Sequence, residues 1–475
     1  MISERVPTGI DGLDEVIEGG FPRGSLVIVA GSPGTGKTVF SARFLYRGAT
    51  DYGENGVYVS FAENRETFCK DMLSFGFDFK ALRKKGKFKF FDMVTVKEEG
   101  VPHALNSILE EVHNFGAKRL VIDSFTAMAQ AFKEPIEARA MIHVIMGKIV
   151  RQMGCTTILI SEIPMGQERI GLGIEEFVAD GMIKLRTDEL DGRLLRELEI
   201  VKLRGTELAQ RKLLFTLDGG FKAFPLFKTE VLEKASRFQP TPDPPGKFST
   251  GINELDRLLD GGYPKGSPVL LEIEEQISTP QYHLIITPTP CNFLAKGRAI
   301  MMIPSSGVDH HIIEKCAVEN GFTEDELNSL LKLCVTEPLE PPKPYILVFD
   351  GKNVEEDYQK YRRVEMELMN KTGHPVMRVT GADYLMSNYG KDAAVKVWNL
   401  DATRIREKES LGIIILKPGY GDLSKMLGAI ASIHLKMITK NGVILVYGIK
   451  PATNLQVVEM DTSKGYPMPR LTPIV

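Results

Sequence analysis

The chain has 475 residues, of which 43% are hydrophobic and 25% are charged, and its formal net charge is −3. This composition excludes intrinsic disorder of the whole chain, and the charge provides no general attraction to nucleic acid or to an anionic membrane. The length exceeds that of one ordinary domain and predicts two domains.

The cysteines and the chain start indicate the cellular compartment. The five cysteines are scattered singly without a CxxC pair, which predicts reduced core thiols rather than disulfides or a zinc site. The first ten residues carry charges and a proline where a signal peptide has an apolar run, and no uncharged apolar run long enough to span a bilayer occurs later. These features predict a cytoplasmic protein without a membrane segment.

An internal repeat marks the start of each predicted domain. The sequence TGIDGLDEVIEGGFPRGS covers residues 8–25, and TGINELDRLLDGGYPKGS covers residues 250–267 with the same key residues at the same spacing. A proline-rich segment before the second copy favours an extended linker. We therefore predict a first domain over residues 1–237, a linker over 238–246, and a second domain of the same fold over 247–475.

Short apolar runs alternate with amphipathic patterns along the first copy. The predicted strands cover residues 25–30, 57–61, 119–122 and 156–160, and the predicted helices cover 39–47, 66–75, 104–115 and 136–153. This alternation predicts an α/β fold with a mainly parallel sheet flanked by helices. The later runs, at residues 182–186, 196–204 and 212–217, predict an antiparallel extension of that sheet.

A complete phosphate-binding loop of the form GxxxxGK[ST] lies between the first predicted strand and a predicted helix. Its residues are Gly31, Ser32, Pro33, Gly34, Thr35, Gly36, Lys37 and Thr38. The glycines let backbone N–H groups converge on the α and β phosphates, Lys37 reaches the β and γ phosphates, and the Thr38 hydroxyl binds Mg²⁺. An ordinary glycine turn is the alternative, but both flanks favour a phosphate loop. The loop therefore predicts ATP and Mg²⁺ as cofactors.

Two acidic residues lie after other strands at the same predicted sheet edge. Asp123 ends a buried strand, and we predict that it binds Mg²⁺ together with Thr38, although such an aspartate taken alone is often a turn starter or a cap. Glu63 lies after the strand at 57–61 and is the candidate base for the attacking water. A solvated glutamate, or one that caps the next helix, is the alternative.

With these motifs, residues 6–227 resemble a domain of the KaiC family within the RecA-like ATPase superfamily. The resemblance extends to SFGFD at 74–78, GIEEFVAD at 173–180 and VKLRGT at 201–206. It implies a homo-oligomer such as a hexameric ring, with ATP between subunits.

The resemblance also implies roles for three further residues. Lys202 and Arg204 would face the γ phosphate of a neighbouring subunit's ATP. Ser161, followed by Glu162, stands at the end of a strand where relatives sense the γ phosphate. Taken alone, Lys202 and Arg204 alternate along one predicted strand, which also fits a solvated basic face, and Ser161 also fits a capping role. Where KaiC domains carry two adjacent glutamates, this chain has Ala62 and Glu63, so Glu63 would act alone and turnover would be slow.

The second copy lacks the residues that bind phosphate. Carried forward without gaps, the repeat places IEEQISTP, residues 273–280, where the first copy has its loop, so the glycines and the lysine are gone and two glutamates appear. Residues 346–350 resemble the metal-binding strand, with a structural role predicted for Asp350. We predict a pseudo-ATPase domain that serves scaffolding or binds an unidentified protein partner. His310 and His311 would point apart as neighbours in sequence, which favours a surface role over metal binding.

The sequence leaves several functions open. The first is a regulatory ATPase whose nucleotide state changes assembly or partner affinity. The second is a RecA-like DNA recombination or repair ATPase, supported by LRKKGKFKFF at 82–91, where cations alternate with aromatic residues. Because these phenylalanines also fit a buried strand, nucleic acid is a disfavoured partner. Autokinase activity would need a second ATP site, and a GvpD-type transcriptional regulator is a further alternative.

Overall fold

The computed structural model describes residues 4–93, 101–130, 143, 145–164, 166 and 178–475. The chain divides into two compact units. The first contains Met1–Leu226 with Asn441–Val443 and Pro473–Val475, and the second contains Phe227–Lys440 and Ile444–Thr472. Residues 238–246 form no helix or strand, as expected for the predicted linker, although Phe238 is buried in the second unit's core. The domain limits at residues 237 and 247 stay a prediction.

The first part of the chain alternates strands and helices. In chain order these are β1 (Arg5–Val6), α1 (Leu13–Val16), β2 (Phe21–Pro22), β3 (Leu26–Gly31), α2 (Lys37–Asp51), β4 (Gly56–Ser60), α3 (Arg65–Ser74), α4 (Phe79–Lys84), β5 (Phe88–Asp92), α5 (Val101–Asn114), β6 (Arg119–Asp123), α6 (Phe125–Gln130), a π-helix (Ile145–Gln152), β7 (Thr156–Glu162), β8 (Gly181–Leu190), β9 (Arg193–Leu203), β10 (Lys212–Thr216) and β11 (Lys222–Phe224). Residues 136–142 and 144 of the predicted helix at 136–153, and residues 173–177 of the KaiC-like stretch, lie outside the described residues.

Nine of the described strands form the sheet of the first unit, in the order β11-β10-β9-β8-β3-β7-β6-β4-β5. The neighbours from β8 to β5 pair in parallel, whereas β9, β10 and β11 continue the sheet antiparallel. All six residues of β3 are buried because apolar clusters cover both faces of the sheet. The prediction of a mainly parallel α/β sheet with an antiparallel extension is confirmed.

The elements after residue 246 repeat this arrangement. They are β12 (Lys247–Phe248), α7 (Asn253–Leu258), β13 (Tyr263–Pro264), β14 (Ser267–Ile273), α8 (Thr279–Ile286), α9 (Pro288–Ala295), β15 (Ile300–Ile303), α10 (His310–Glu319), α11 (Glu324–Leu330), β16 (Leu331–Val335), β17 (Ile346–Val348), α12 (Val354–Thr372), β18 (Met377–Gly381), α13 (Ala382–Tyr389), α14 (Lys391–Glu407), β19 (Leu411–Leu416), α15 (Gly421–Ile430), β20 (Ile433–Lys440), β21 (Val443–Lys450), β22 (Gln456–Asp461) and β23 (Met468–Pro473).

The second sheet has the strand order of the first with one strand added. Ten of the described strands take the order β17-β16-β15-β18-β19-β14-β20-β21-β22-β23. Thus β14 takes the place of β3, β19 of β7, β18 of β6, β15 of β4 and β16 of β5, while β17 is an extra edge strand. The prediction of two RecA-like domains is confirmed. None of the helices in the described part of the chain has the length and apolar character needed to cross a bilayer.

Candidate functional site

The phosphate loop joins β3 to α2 and depends on its glycines. Gly34 and Gly36 have φ values of 78° and 94°, in the left-handed region that favours glycine. A Cβ atom on Gly31 would lie 2.6 Å from the carbonyl oxygen of Leu185, its partner on the neighbouring parallel strand β8, so this position also requires glycine. Lys37 donates a hydrogen bond from Nζ to the Ser32 carbonyl oxygen at 2.9 Å. The lysine side chain therefore lies back over the loop whose N–H groups would hold the phosphates.

Asp123 is the buried carboxylate beside this loop. The Thr38 hydroxyl donates to Asp123 Oδ2 at 3.1 Å, and the Tyr58 hydroxyl donates to the same oxygen at 2.5 Å. Burial raises the pKa of Asp123, while the bonds from Tyr58 and Thr38 act in the opposite direction. The two residues predicted to bind Mg²⁺ are therefore in contact. The sequence does not predict Tyr58, because a tyrosine in a buried strand carries no sign that its hydroxyl reaches a neighbouring strand.

Glu63 lies on the loop after β4, the strand beside β6. Its backbone N–H donates to the Ser60 hydroxyl at 3.0 Å, and Ser60 pairs with Asp123 across the two strands. Glu63 is half-buried, and burial, together with the smaller effects of the charges of Asp123 and Asp71, raises its pKa to about 7. Asn64 is the residue that caps α3, with its side chain accepting from two backbone N–H groups. The helix cap, which was the alternative role for Glu63, is thus supplied by its neighbour.

Ser161 and Glu162 end β7 at the same sheet edge. Ser161 pairs with Ala30 and Glu162 pairs with Gly31, so both lie level with the start of the phosphate loop. Ser161 is buried, and its hydroxyl has no hydrogen-bond partner among the described residues. Burial lowers the pKa of Lys37, and the charges of Glu162 and Asp123 partly offset this. The role predicted for Ser161 at the γ phosphate stays a prediction.

The structure does not bring Lys202 and Arg204 to the carboxyl ends of the strands, where the phosphate loop lies. Lys202 pairs with Met182, which pairs with Ile28 of β3, so Lys202 lies three residues before Gly31 along the sheet. Arg204 lies just after the end of β9, and its Nη1 is 3.8 Å from the carboxylate of Asp180. β9 ends at Leu203, and the next residue, Arg204, still donates its backbone N–H to the Asp180 carbonyl oxygen at 2.8 Å, so the alternation of the two cations along one strand stays a prediction. Both cations lie towards the amino end of β3, whereas the loop leaves its carboxyl end.

Arg196 is a residue near the loop that the sequence does not predict. It lies on β9, is half-buried, and donates from Nη1 to the carbonyl oxygen of Gly34 at 3.3 Å. This bond joins the tip of the phosphate loop to a strand 162 residues later. Only the antiparallel extension of the sheet brings the two together.

Comparisons with known proteins identify the family of the chain. A family model described as "ATPase: KaiC" matches residues 6–221. A UPF0273 protein of Pyrococcus horikoshii is 35% identical over 250 residues, which are 49% of this chain and 100% of that protein. The chain belongs to the KaiC-like family of RecA-superfamily ATPases.

Two further relatives match about half of this KaiC-like chain. The circadian clock oscillator protein KaiC of Thermostichus vulcanus is 32% identical over 276 residues, 56% of this chain and 51% of that protein. The chain thus spans about half the length of the KaiC proteins it matches. A crystal structure of a KaiC-like protein from Pyrococcus horikoshii is 40% identical, with a TM-score of 0.43, and the match covers 47% of this chain and 100% of the other.

The second unit of this KaiC-like chain keeps the loop length but not its residues. Residues 274–278 separate β14 from α8, just as residues 32–36 separate β3 from α2. Thr279 and Pro280 therefore begin α8 where Lys37 and Thr38 begin α2. Proline has no side-chain donor or metal ligand, and threonine cannot supply a cation. The repeat predicted without gaps from the sequence matches the positions of both helices.

Sheet register identifies the counterpart of Asp123. The residues aligned across four strands are Val59, Ile122, Leu159 and Ile28 in the first sheet and Ile303, Thr380, Ile414 and Leu270 in the second. Gly381, the residue after Thr380, therefore takes the place of Asp123. A Cβ atom on Gly381 would lie 2.6 Å from Cα of Ser305. The backbone of the next loop thus occupies the space that the carboxylate fills in the first unit.

Residues 346–350, which resemble the metal-binding strand in sequence, therefore do not take its place in the sheet, and the structural role of Asp350 stays a prediction. Asp350 lies after β17, the added edge strand, and its backbone N–H donates to the Asp357 carboxylate at 2.8 Å. An apolar run that ends in aspartate occurs twice in this chain. One is the central strand β6 with Asp123, and the other is the edge strand β17, after which the backbone of Asp350 bonds to the next helix. Sequence pattern alone does not separate these two cases.

The expectation that His310 and His311 point apart is also wrong. Their ring centroids are 3.8 Å apart at the start of α10, and their ligand atoms lie within 4.8 Å of those of Glu314. Glu314 also accepts hydrogen bonds from Lys343 and Tyr345, which compete for its carboxylate. The surface role of the two histidines stays a prediction.

The close approach at Gly381 generates a stability prediction. Gly381→Ala should destabilise the second unit by about 1–3 kcal/mol because the new methyl group overlaps the Ser305 backbone. Gly421→Ala is the control, since a Cβ at Gly421 meets no atom within 4 Å, and it should change stability by less than about 0.5 kcal/mol. The chain's one tryptophan is the buried Trp398 of the second unit, so its fluorescence during urea unfolding reports this unit. Equal midpoints for the two variants would contradict the prediction.

Proposed function

We propose that this chain is a regulatory ATPase that binds Mg²⁺ and ATP in its first unit and hydrolyses the ATP slowly. The observation that carries the proposal is the contact of Thr38 with Asp123 beside Lys37 and the phosphate loop. A P-loop hydroxyl and a strand-end aspartate are the side chains that hold Mg²⁺ in P-loop ATPases. Membership of a KaiC-like ATPase family supports the same activity.

The residues present fit both cofactors. The loop has the left-handed glycines that direct N–H groups towards phosphate, and Asp123 is a buried carboxylate whose charge a nearby cation would stabilise. Bound Mg²⁺ supplies positive charge to the β and γ phosphate oxygens. Lys37 adds a second cation at this edge, and Ser161 adds a hydroxyl that lacks a partner within the described residues.

Glu63 acts in this proposal as the base for the attacking water. A carboxyl group with a pKa of about 7 is poised to accept a proton near neutral pH. Its loop is tied to the end of β6, since the Phe61 N–H donates to the Asp123 carbonyl oxygen at 2.6 Å. Glu63 and the metal-binding carboxylate are therefore held by one pair of strands.

Lys202 and Arg204 act in this proposal on the ATP of a neighbouring subunit. Lys202 lies three residues from the level of Gly31, or roughly 10 Å at about 3.3 Å per residue, and Arg204 lies farther. Both residues lie towards the amino ends of the parallel strands, whereas the phosphate loop lies at the carboxyl ends. This separation argues against action on the phosphates that the same subunit binds. Cations placed there support a homo-oligomer, such as a hexameric ring, in which they complete the site of the next subunit.

We further propose that the second unit is a pseudo-ATPase domain for scaffolding or partner binding. Thr279, Pro280 and Gly381 stand where the first unit has its lysine, its metal-binding hydroxyl and its metal-binding carboxylate. Glu274 and Glu275 add negative charge where phosphates would lie. The same substitutions argue against an autokinase, which would need a second ATP site.

The contacts of the basic and aromatic segment argue against DNA binding. Phe88 is buried, and Phe90 stacks on Tyr58 with ring centroids 5.5 Å apart. Lys87 donates to the Gly53 carbonyl oxygen, and Lys89 pairs with Glu111 at 2.7 Å. The aromatic rings are thus committed to the core rather than exposed for stacking on bases. This supports the structural interpretation of the segment.

The absence of a second phosphate loop predicts the stoichiometry of ATP binding. Calorimetric titration of the full chain with ATP and Mg²⁺ should give one site per chain, and Lys37→Ala should abolish it because the lysine contacts the phosphates directly. Thr279→Ala is the matched control at the same position of the second unit and should leave the titration unchanged. Two sites per chain, or full binding by the Lys37 variant, would overturn the proposal for the second unit.

Replacement of the candidate base should separate binding from hydrolysis. Glu63→Gln should leave ATP affinity within about twofold while phosphate release falls by about 10²-fold or more. The wild-type rate should rise about tenfold between pH 6 and 8, because the carboxylate form increases above a pKa of about 7. The variant should lack this rise, and Glu66→Gln, on the exposed first turn of α3, should behave as wild type. An unchanged rate in Glu63→Gln would remove Glu63 from catalysis.

Complementation between two inactive variants tests the action of the cations between subunits. Lys37→Ala subunits lack a productive ATP site but keep Lys202 and Arg204, whereas Lys202→Ala/Arg204→Ala subunits have the reverse defect. After subunit exchange, some interfaces will combine an intact phosphate loop from one variant with an intact Lys202 and Arg204 from the other. At these interfaces the mixed oligomers should regain part of the phosphate release. Lys212→Ala, an exposed lysine on β10, is the control and should be active alone. Hydrolysis by a monomer at a rate per chain that is independent of protein concentration would contradict action in trans.

A further inference from the structure

The side chain of Tyr58 reaches from β4 to the end of the neighbouring strand β6. In the register of these two strands Tyr58 pairs with Val121, whereas Asp123 pairs with Ser60, two residues farther along β4. Because residues two apart on a strand share a face, Tyr58 and Asp123 lie on the same face of the sheet. The tyrosine ring therefore runs along this face towards the carboxyl ends of the strands, where its hydroxyl donates to Asp123 Oδ2 at 2.5 Å.

Aromatic packing fixes the position of that hydroxyl. Rings fill the space between the first sheet and helices α3 and α4, and we call this group, Tyr58, Phe68, Phe79, Phe88 and Phe90, the aromatic cluster. The centroid of the Tyr58 ring lies 4.4 Å from that of Phe68, and 5.5 Å from that of Phe90, on which it is stacked. Tyr58 is also fully buried. Packing of this kind leaves the ring little freedom to carry its hydroxyl away from the carboxylate.

Two hydroxyl groups donate to the same oxygen of Asp123. One is that of Thr38, at 3.1 Å, and Thr38 is itself a proposed ligand of Mg²⁺. The other is that of Tyr58, which contacts the carboxylate from outside the phosphate loop. Partners that bind a metal-binding side chain from outside orient it, and their removal weakens metal binding. Tyr58 stands in this relation to the proposed metal site.

The second unit has lost the donor and the acceptor together. By sheet register, the residues in place of Tyr58, Phe88 and Phe90 are Met302, Leu331 and Leu333. Gly381 takes the place of Asp123. A buried tyrosine hydroxyl without its carboxylate would be costly, and the methionine at the matching position has no such group. Because the second unit keeps the fold without this pair, the pair belongs to the carboxylate site rather than to the architecture.

We propose that Tyr58 is a positioning residue for Mg²⁺: its hydroxyl holds the Asp123 carboxylate beside Thr38, and without it the first unit keeps ATP but loses affinity for the cation. This inference rests on the proposed function, in which Thr38 and Asp123 hold Mg²⁺. Lys37 bonds to the Ser32 carbonyl oxygen within the phosphate loop. Contacts of the loop and the lysine with the phosphates therefore do not pass through Tyr58.

The effect of Mg²⁺ on ATP affinity measures this role in the full chain. Calorimetric titrations with ATP are run in excess Mg²⁺ and in EDTA, and we call the ratio of the two affinities the Mg²⁺ enhancement. Tyr58→Phe keeps the ring and removes the hydroxyl. It should leave the affinity in EDTA within about twofold and reduce the Mg²⁺ enhancement by about tenfold. A tyrosine that served folding alone would not change this ratio, because both titrations use the same folded protein.

Two further variants complete the design. Tyr46→Phe is the matched control, since the Tyr46 ring packs on Phe77 and Phe79 at 5.2 and 5.6 Å between centroids, and it should keep the wild-type Mg²⁺ enhancement. Phe90→Leu, at a partly buried position, removes the ring stacked on Tyr58 and keeps the hydroxyl. It should reduce the enhancement by about two- to fivefold, and it replaces Tyr58→Phe as the test if that variant does not fold.

The outcomes separate this inference from the proposed ATPase. A wild-type Mg²⁺ enhancement in folded Tyr58→Phe, or in Phe90→Leu where it replaces that variant, would overturn the role of Tyr58 and leave the ATP site in place. A wild-type chain whose ATP affinity is the same in Mg²⁺ and in EDTA would instead overturn the proposed metal site, and this inference with it.

Discussion

The first unit depends on one buried carboxylate. Asp123 is 7% exposed and receives hydrogen bonds from Thr38 at the start of α2 and from Tyr58 of β4. Burial of an unpaired carboxylate would be costly, so these two donors are a condition for its position. Through them the phosphate-loop helix and two central strands meet at one oxygen atom. The loop that carries Glu63 is tied to the same strand end, which is why the candidate base and the candidate metal ligands lie together.

The second unit lacks that carboxylate and has closed the space around its position. Gly381 takes its place, and the Ser305 backbone approaches so closely that even a methyl group would collide. The helix after β14 begins with Thr279, which lacks the positive charge of Lys37, and Pro280, which lacks the hydroxyl of Thr38. Because a parallel α/β sheet is stabilised by its buried apolar strands, the architecture survives these changes. The proposed loss of nucleotide binding from the second unit would thus leave its fold intact.

The two units also differ in how they fill the space beside the sheet. The first packs an aromatic cluster there, and one member of that cluster, Tyr58, holds Asp123. The second has aliphatic side chains and a cavity of about 70 Å³ there. Loss of the carboxylate removes the reason to keep a tyrosine at the position of Met302. The change of active-site residue and the change of core packing are thus physically connected.

The sequence by itself determined the fold class, the phosphate loop and the repeat, because strand periodicity, loop glycines and domain spacing are local patterns. It also indicated Asp123 and Glu63 as strand-end acids, although their roles stay predictions. Only the tertiary structure decided which strand of the second unit matches β6, since ILVFD looked like that strand but lies at the sheet edge. The partners of Asp123, the contact of Arg196 with the loop, and the separation of Lys202 from it likewise depend on pairing between distant strands. Such pairing is set by packing over the whole sheet, which no local pattern of residues records.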